Sequence, residues 1–360
     1  MQILVSRFAG YCGGVQRAVE IAKEAGRAFG KVFTLGDLIH NKRAVEELKA
    51  FGVYPVYDVD DLKEGDVCVL RSHGAGEQTR AQLQEKKVTV IDATCPSVAK
   101  IHQEVALRVK QGAYIIVVGK EGHPEVLGIK EALPKVSVLE SADSFAFPPN
   151  EDFYFVVAQT TLEPGLYQIF KENFRIKAKN HAKTVEFLDS ICYTTKGKIE
   201  EAEKIAKACS AVFVIGDANS SNTKGLFNVA KKICENTYFV SDLSALQAVK
   251  NINSIAKLGI LSGASTPQES ITEVINRMEQ LNNADVVAQD EVNQEVVQVA
   301  EEEIAVNAAE AVAEETTIVA EVTATVETIT EAVEKPVEVE EEPAESAKTP
   351  AESTTEEETA

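Results

Sequence analysis

Through residues 1–282 the chain alternates short apolar runs with longer stretches whose apolar residues recur every three or four positions. VTVID (88–92) and YIIVVG (114–119) represent the runs, and SVAKIHQEVALRVK (97–110) represents the stretches. The runs are rich in β-branched residues and short enough for strands; the stretches have the spacing of a helix with one buried face. Strands alternating with helices predict parallel sheets, because a parallel pair needs a crossover between its strands. Ligands of such sheets bind outside the carboxyl ends of the strands.

The pattern repeats. Cys12, Cys95 and Cys192 each follow an apolar run and precede a helical stretch, with separations of 83 and 97 residues. Twenty-eight residues beyond each cysteine stand His40, His123 and Ser220, each after a strand-like run. A second, less rigid register carries His73 in VLRSHG, Thr160 and Thr161 in VVAQTT, and Ser262 and Ser265 in ILSGAS. Each block therefore reads as helix, strand, polar loop, helix, strand, polar loop, helix, strand. This predicts three α/β domains with parallel sheets, residues 1–95, 96–192 and 193–282, in a pseudo-threefold arrangement around a shared central cavity.

A cysteine at a strand-to-helix junction meets the free amides and positive dipole end of the helix, which favour a thiolate; Pro96, directly after Cys95, suits the first helical position. Gly13 and Gly14 suit either a close backbone approach or a plain turn. His40 stands just before a helix, as a capping or surface residue would, and the repeat argues for contact with a ligand. In GHPE, His123 and Glu125 place an imidazole and a carboxyl group within one turn, and no neighbouring cation in sequence holds Glu125 ionised, so a general-acid role suits it. The NSSN run (219–222) and Ser265 supply hydroxyls and amides suited to a phosphate, without the lysine of a P-loop. Cys68, Cys209 and Cys234 do not recur between blocks and read as core packing. His102 reads as structural and His181 as solvated. Three thiolates widely spaced in sequence fit either a zinc site completed by a fourth ligand or an iron–sulfur cluster with one open iron, and spacing does not choose between them.

The formal charge of −21 is concentrated in residues 283–360, which hold 23 Asp and Glu against two Lys and contain no aromatic residue or glycine. Such a segment offers little to set against its ordering entropy, so it is predicted to be disordered, with its partner unknown. The remainder is electrically balanced, which gives no argument for a nucleic-acid surface. No apolar run approaches the roughly 20 residues that span a bilayer. The opening MQILVSRF has no signal or transit-peptide composition, so a cytoplasmic protein is expected.

The segments GYCGGVQRAV, LIHN, RSHG, DATCP, GHPEV, QTT, DSICYTT, NSSN and SGAS, in this order, closely resemble the 4-hydroxy-3-methylbut-2-enyl diphosphate reductase family, IspH/LytB. The resemblance covers about residues 1–282 and not the acidic segment. It implies three α/β domains around a cavity holding a 4Fe-4S cluster on Cys12, Cys95 and Cys192, with an open apical iron. It implies an allylic diphosphate substrate held by His40, His73 and His123 together with Ser220, Ser221, Asn222 and Ser265. Glu125 and Thr160 would form the proton-delivery network. The implied reaction is a two-electron reductive dehydroxylation to isopentenyl and dimethylallyl diphosphates, the last step of the non-mevalonate route, with a ferredoxin or flavodoxin-type electron donor. A zinc-stabilised phosphate-binding protein and a cluster-based redox sensor are the other two classes compatible with the residues.

Overall fold

The computed structural model describes residues 1–286 apart from Ala132 and Lys250, so most of the acidic segment lies outside the described residues. After strand β1 (Gln2–Val5), the first unit runs α1 (Gly13–Phe29), β2 (Val32–Leu35), α2 (Lys42–Lys49), β3 (Val53–Val56), β4 (Val67–Leu70), α3 (Glu77–Glu85) and β5 (Thr89–Asp92). The second runs α4 (Pro96–Lys110), β6 (Tyr114–Val118), α5 (Pro124–Lys130), β7 (Val136–Leu139), β8 (Phe153–Ala158), α6 (Pro164–Asn180) and β9 (Thr184–Phe187). The third runs α7 (Tyr193–Ala208), β10 (Ala211–Ile215), α8 (Ser221–Ile233), β11 (Thr237–Val240), β12 (Lys257–Ser262) and α9 (Gln268–Val286).

These elements build three four-stranded, all-parallel sheets in the orders β3-β2-β4-β5, β7-β6-β8-β9 and β11-β10-β12-β1. The three orders are the same arrangement written three times. Of the central strands, β4, β6, β8, β10 and β12 are buried on both faces, as in VCVL of β4 and AVFVI of β10, which explains their near-continuous apolar sequence, whereas β2 alternates buried and half-buried positions. The first two helices of a unit cover one face of its sheet and the last covers the other. In the second unit, Ile101 of α4 and Val126 of α5 pack with Ile115 and Val157, while Phe170 and Phe174 of α6 pack with Ile116 and Val156.

Two features depart from the sequence reading. Each sheet contains one more strand than the three predicted per block, namely β3, β7 and β11, each four residues long and at a sheet edge. Such strands bury little and tolerate residues that central strands exclude; Pro55 lies within β3. The second departure concerns β1. It was expected to open the first unit, residues 1–95, but it pairs with β12 in the third sheet, with Leu4 opposite Gly259. The chain supplies no strand after α9 among the described residues, so β12 has an open edge, and β1 satisfies it as β5 and β9 satisfy β4 and β8. Ile3 packs on the α9 face and Leu4 on the α7–α8 face. The terminal amino group donates to Asn282 Oδ1 at 2.8 Å.

This topology explains both polar registers. From β2 the chain moves outward to β3, then returns on the other side of β2 as β4, so the crevice between β2 and β4 is a topological switch point. His40 follows β2 and His73 follows β4; His123 and Thr160 follow β6 and β8; Ser220 and Ser265 follow β10 and β12. Every predicted polar tip therefore flanks a switch point, and each fourth strand leads into a cysteine.

If β1 completes the third sheet, deleting residues 1–5 is expected to strip hydrogen-exchange protection from the amides of β12 while those of β2 and β4 keep theirs. Equal loss in the first and third sheets would contradict this placement.

Candidate active site

Cys12, Cys95 and Cys192 are the N-cap residues of α1, α4 and α7, and none uses its side chain to cap its own helix. All three are free thiols. Their backbone N–H groups are anchored alike: Cys12 donates to Ala264 O at 3.1 Å, Cys95 to Ser72 O at 3.0 Å and Cys192 to Thr160 O at 3.0 Å. Each acceptor lies in the loop after the strand that pairs with the cysteine-bearing edge strand of its sheet, β12, β4 or β8. Burial pushes the Cys12 and Cys95 thiols up, and the N–H groups of Val15 beside Cys12, and of Ser97 and Val98 beside Cys95, oppose it. Ser97 Oγ donates to Cys192 Sγ at 3.9 Å, so α4 also touches the third sulfur. The first turn of α1 lies against the second, since a Cβ on Gly14 would stand 2.5 Å from Cys95 Sγ.

The loop entering Cys12 is gripped from α7. The buried ammonium of Lys198 donates to the carbonyls of Phe8, Gly10 and Ser262, and burial lowers its pKa to about 8. Glu201, one turn on, accepts from Ser6 Oγ at 2.5 Å and Arg7 Nε at 2.9 Å.

His40, His73 and His123, far apart in sequence, form a triangle with ring centroids 4.6, 5.5 and 5.6 Å apart. One ligand nitrogen from each lies within 4.8 Å of the others, close enough for one small group to touch all three. Burial disfavours the imidazolium in each; it brings His123 to about 3, and His73 falls well below its ordinary value. His123 caps α5, its Nδ1 accepting from Glu125 N at 3.3 Å, which places the neutral ring's proton on Nε2. His40 Nε2 and His73 Nδ1 are buried with no hydrogen-bond partner among the described residues. Buried polar atoms are ordinarily paired, so these two mark a surface built for a ligand.

Glu125 is 1% exposed. Its carboxyl accepts from Thr160 N at 2.7 Å and Thr160 Oγ1 at 2.8 Å. Burial raises its pKa to about 7, against the pull of both Thr160 bonds. In the third unit, Ser220 caps α8, its Oγ accepting from Thr223 N at 3.3 Å, and Ser221 begins that helix. Asn222 Oδ1 accepts from Ala264 N at 2.9 Å, leaving its NH₂ group as donor. Ser265 Oγ donates to His40 O at 3.0 Å and so joins the third unit to the first.

The predicted site residues meet in one cavity, with about 710 Å³ of space counting its opening to solvent. The three cysteines, the three histidines, Glu125, Thr160, Ser220, Ser221, Asn222 and Ser265 are all in its wall.

Residues 3–279 match the family described as LytB protein. The chain belongs to the LytB family. It is 33% identical over 293 residues to the 4-hydroxy-3-methylbut-2-enyl diphosphate reductase of Aquifex aeolicus, covering 80% of this chain and 99% of that protein. To the protein of that name from Clostridioides difficile it is 35% identical over 289 residues, 78% and 100% of the two chains. A solved E-1-hydroxy-2-methyl-but-2-enyl-4-diphosphate reductase from Plasmodium falciparum superposes with a TM-score of 0.71 at 28% identity, covering 77% of this chain and 87% of that one. A solved (E)-4-hydroxy-3-methyl-but-2-enyl diphosphate reductase, described as the terminal enzyme of the non-mevalonate pathway, superposes with a TM-score of 0.60 at 33% identity, covering 78% and 99%.

Membership of the LytB family implies an iron–sulfur cluster, and the sulfur side of the cavity fits one. It offers three sulfurs not engaged in capping their own helices, beside backbone amides and at helix amino termini. Among the described residues, no helix is long and apolar enough to cross a membrane.

Several residues of the LytB cavity escaped the sequence reading, although its own alignment pointed to them. Positions two and three beyond each cysteine all line the wall: Gly14, which the sequence offered for a close backbone approach, and Val15, Ser97, Val98, Thr194 and Thr195, which it did not mark as site residues. Ser72 lines it too, beside His73. Lys198, which holds the loop entering Cys12 from outside the lining, carried no signal, since in sequence it looks like any helix-surface lysine. His102, Cys68, Cys209 and Cys234 stand outside the lining, and His181 caps the end of α6 with its ring at the surface.

The two adjacent glycines provide a controlled test. A Cβ on Gly13 meets nothing within 4 Å, whereas one on Gly14 collides with Cys95 Sγ. Gly14→Ala is expected to lower iron and acid-labile sulfide content by about half or more, with Gly13→Ala at the wild-type level. Equal contents in the two variants would show that Cys95 is not confined by α1.

Proposed function

We propose that this chain reduces 4-hydroxy-3-methylbut-2-enyl diphosphate to isopentenyl and dimethylallyl diphosphates, with loss of the allylic hydroxyl as water. The observation that carries the reading is one cavity holding three cysteines at helix N-cap positions, a face of neutral hydrogen-bonding groups and a buried acid with a pKa near neutrality. Cys12, Cys95 and Cys192 would hold the iron–sulfur cluster, which when bound supplies the reducing electrons and a Lewis-acidic iron. A one-electron carrier of ferredoxin or flavodoxin type would supply those electrons.

The chain's own residues account for binding and proton transfer. His40, His73 and His123 offer imidazole nitrogens to the diphosphate oxygens, joined by the hydroxyls of Ser220, Ser221 and Ser265 and the amide of Asn222. The amino terminus of α8, at Ser221, adds its dipole. Glu125 delivers the proton that turns the departing hydroxyl into water. Hydroxide is a poor leaving group, so breaking the C–O bond needs this protonation, and a carboxyl with a pKa near 7 holds its proton at neutral pH. Thr160 fixes the carboxyl in place with two hydrogen bonds. Overall, two electrons and two protons enter, the C–O bond breaks, a C–H bond forms, and water leaves.

The deciding experiment adds substrate to anaerobically reduced holoprotein. Substrate-dependent oxidation with formation of both products is expected; zinc in place of iron and sulfide, or a reduced protein indifferent to substrate, would overturn the reading. Glu125→Gln keeps the shape of the neutral acid without its proton. Turnover should fall by about 10²- to 10⁴-fold while affinity for inorganic diphosphate stays within about threefold. Because Glu125 is protonated below about 7, wild-type turnover should decline as pH rises through that value. Thr160→Val removes a bond that favours the carboxylate, so the declining limb should move to higher pH.

A further inference from the structure

Among the described residues the cavity wall contains no lysine or arginine, and burial disfavours protonation of its three imidazoles. A diphosphate carries more than one negative charge, and moving it from water onto neutral donors and the partial charge of one helix amino terminus leaves most of a large desolvation penalty unopposed. The compensating charge must stand behind the wall.

A second cavity, with about 1010 Å³ of space counting its opening to solvent, shares His40 with the first. Arg71 is the cationic residue in its lining. It directly follows β4, two residues before His73, and is partly buried. Gly36, directly after β2, has φ +75°, and a Cβ there would lie 2.5 Å from Arg71 Nη1. The glycine thus makes room for the guanidinium across the carboxyl ends of β2 and β4, at the switch point that carries His40 and His73.

Arg71 is not consumed by the protein. Among the described residues its side chain has no hydrogen bond or ion pair; Asp37 attracts it from a distance, and that carboxylate accepts from the Tyr57 hydroxyl at 2.8 Å. Glu131, the other carboxylate of this lining, is held by Thr79 N and Oγ1 at 3.2 and 2.5 Å. The positive charge is felt by all three imidazoles, where it adds to burial in disfavouring protonation.

We propose that Arg71 is the fixed countercharge of the diphosphate seat, a positioning residue acting from the adjoining cavity behind His40 and His73. This rests on the diphosphate reading of the histidine triangle given above.

The test measures substrate KM and kcat, and inhibition by inorganic diphosphate, in full-length holoenzyme. Arg71→Gln should raise KM and weaken diphosphate inhibition about tenfold with kcat within about twofold, and Arg71→Lys should restore most of the loss. Raising the salt should weaken diphosphate binding more in wild type than in Arg71→Gln. Asp37→Asn removes the opposing charge and should tighten inhibition about threefold; if Arg71→Gln fails to fold, this variant carries the test. Unchanged affinity in Asp37→Asn together with unchanged affinity in, or misfolding of, Arg71→Gln overturns the proposal. Equal losses in the glutamine and lysine variants overturn it too, by assigning the effect to shape. His73→Asn separates the two levels of inference. Weakened binding there with Arg71→Gln unaffected sinks the countercharge alone, whereas unchanged binding in His73→Asn sinks the diphosphate seat itself.

Discussion

In each sheet the two central strands, β2 with β4, β6 with β8 and β10 with β12, send their following loops away in opposite directions, and the rest of the site depends on the gap this leaves. Backbone donors at helix amino termini and side chains at strand ends gather there because the connectivity allows nothing else. Six such loops from three sheets supply the histidines, Thr160 and the Ser/Asn face. The fourth strand of each sheet adds a cysteine, held by a backbone bond to the loop of its neighbour. Twelve side chains drawn from residues 12 to 265 thereby share one cavity although most elements that carry them are short.

The same burial that builds the cavity sets its chemistry. Desolvation is the leading cause of the shifts at Glu125, His123, Cys12 and Cys95, and it has opposite consequences for acids and bases. It keeps Glu125 protonated to about neutrality and lowers the pKa of each imidazole, that of His123 to about 3. The site thus contains a proton donor beside neutral hydrogen-bonding groups, where exposed residues would give a carboxylate beside partly charged histidines. Neutral imidazoles place donors without repelling a protonated neighbour, but they leave a polyanion's charge unbalanced. That is why the charge of Arg71, lying outside the wall, bears on the whole arrangement.

Much of this was legible in the sequence because the repeat is written at fixed distances. The spacing of 28 residues from Cys12 to His40 and from Cys95 to His123 reflects one helix, one strand and one loop, lengths that the sheet geometry constrains. The α/β class and the parallel sheets followed from the alternation of runs. Less was legible where the physics is not local. The edge strands β3, β7 and β11 bury little, so their patterns are weak. Lys198 and Arg71 derive their character from burial that one sequence does not display. The placement of β1 depends on an open edge more than 250 residues away, at Lys257 to Ile260.

That last feature clarifies why the sulfurs sit where they do. Cys95 is the step from the sheet of the first unit into α4, Cys192 the step from the second into α7, and Cys12 the step from the third sheet, through β1, into α1. Each sulfur is thus a junction between two units, and the three junctions close a ring. The third unit alone draws on both β1 and α9, which a parallel ladder to β12 and the bond from the Met1 amino group to Asn282 hold together. A group bound to all three sulfurs would tie every unit to the next. Its binding free energy would therefore favour the closed arrangement of all three units as well as its own site, by the linkage that makes any ligand of the native state a stabiliser of it.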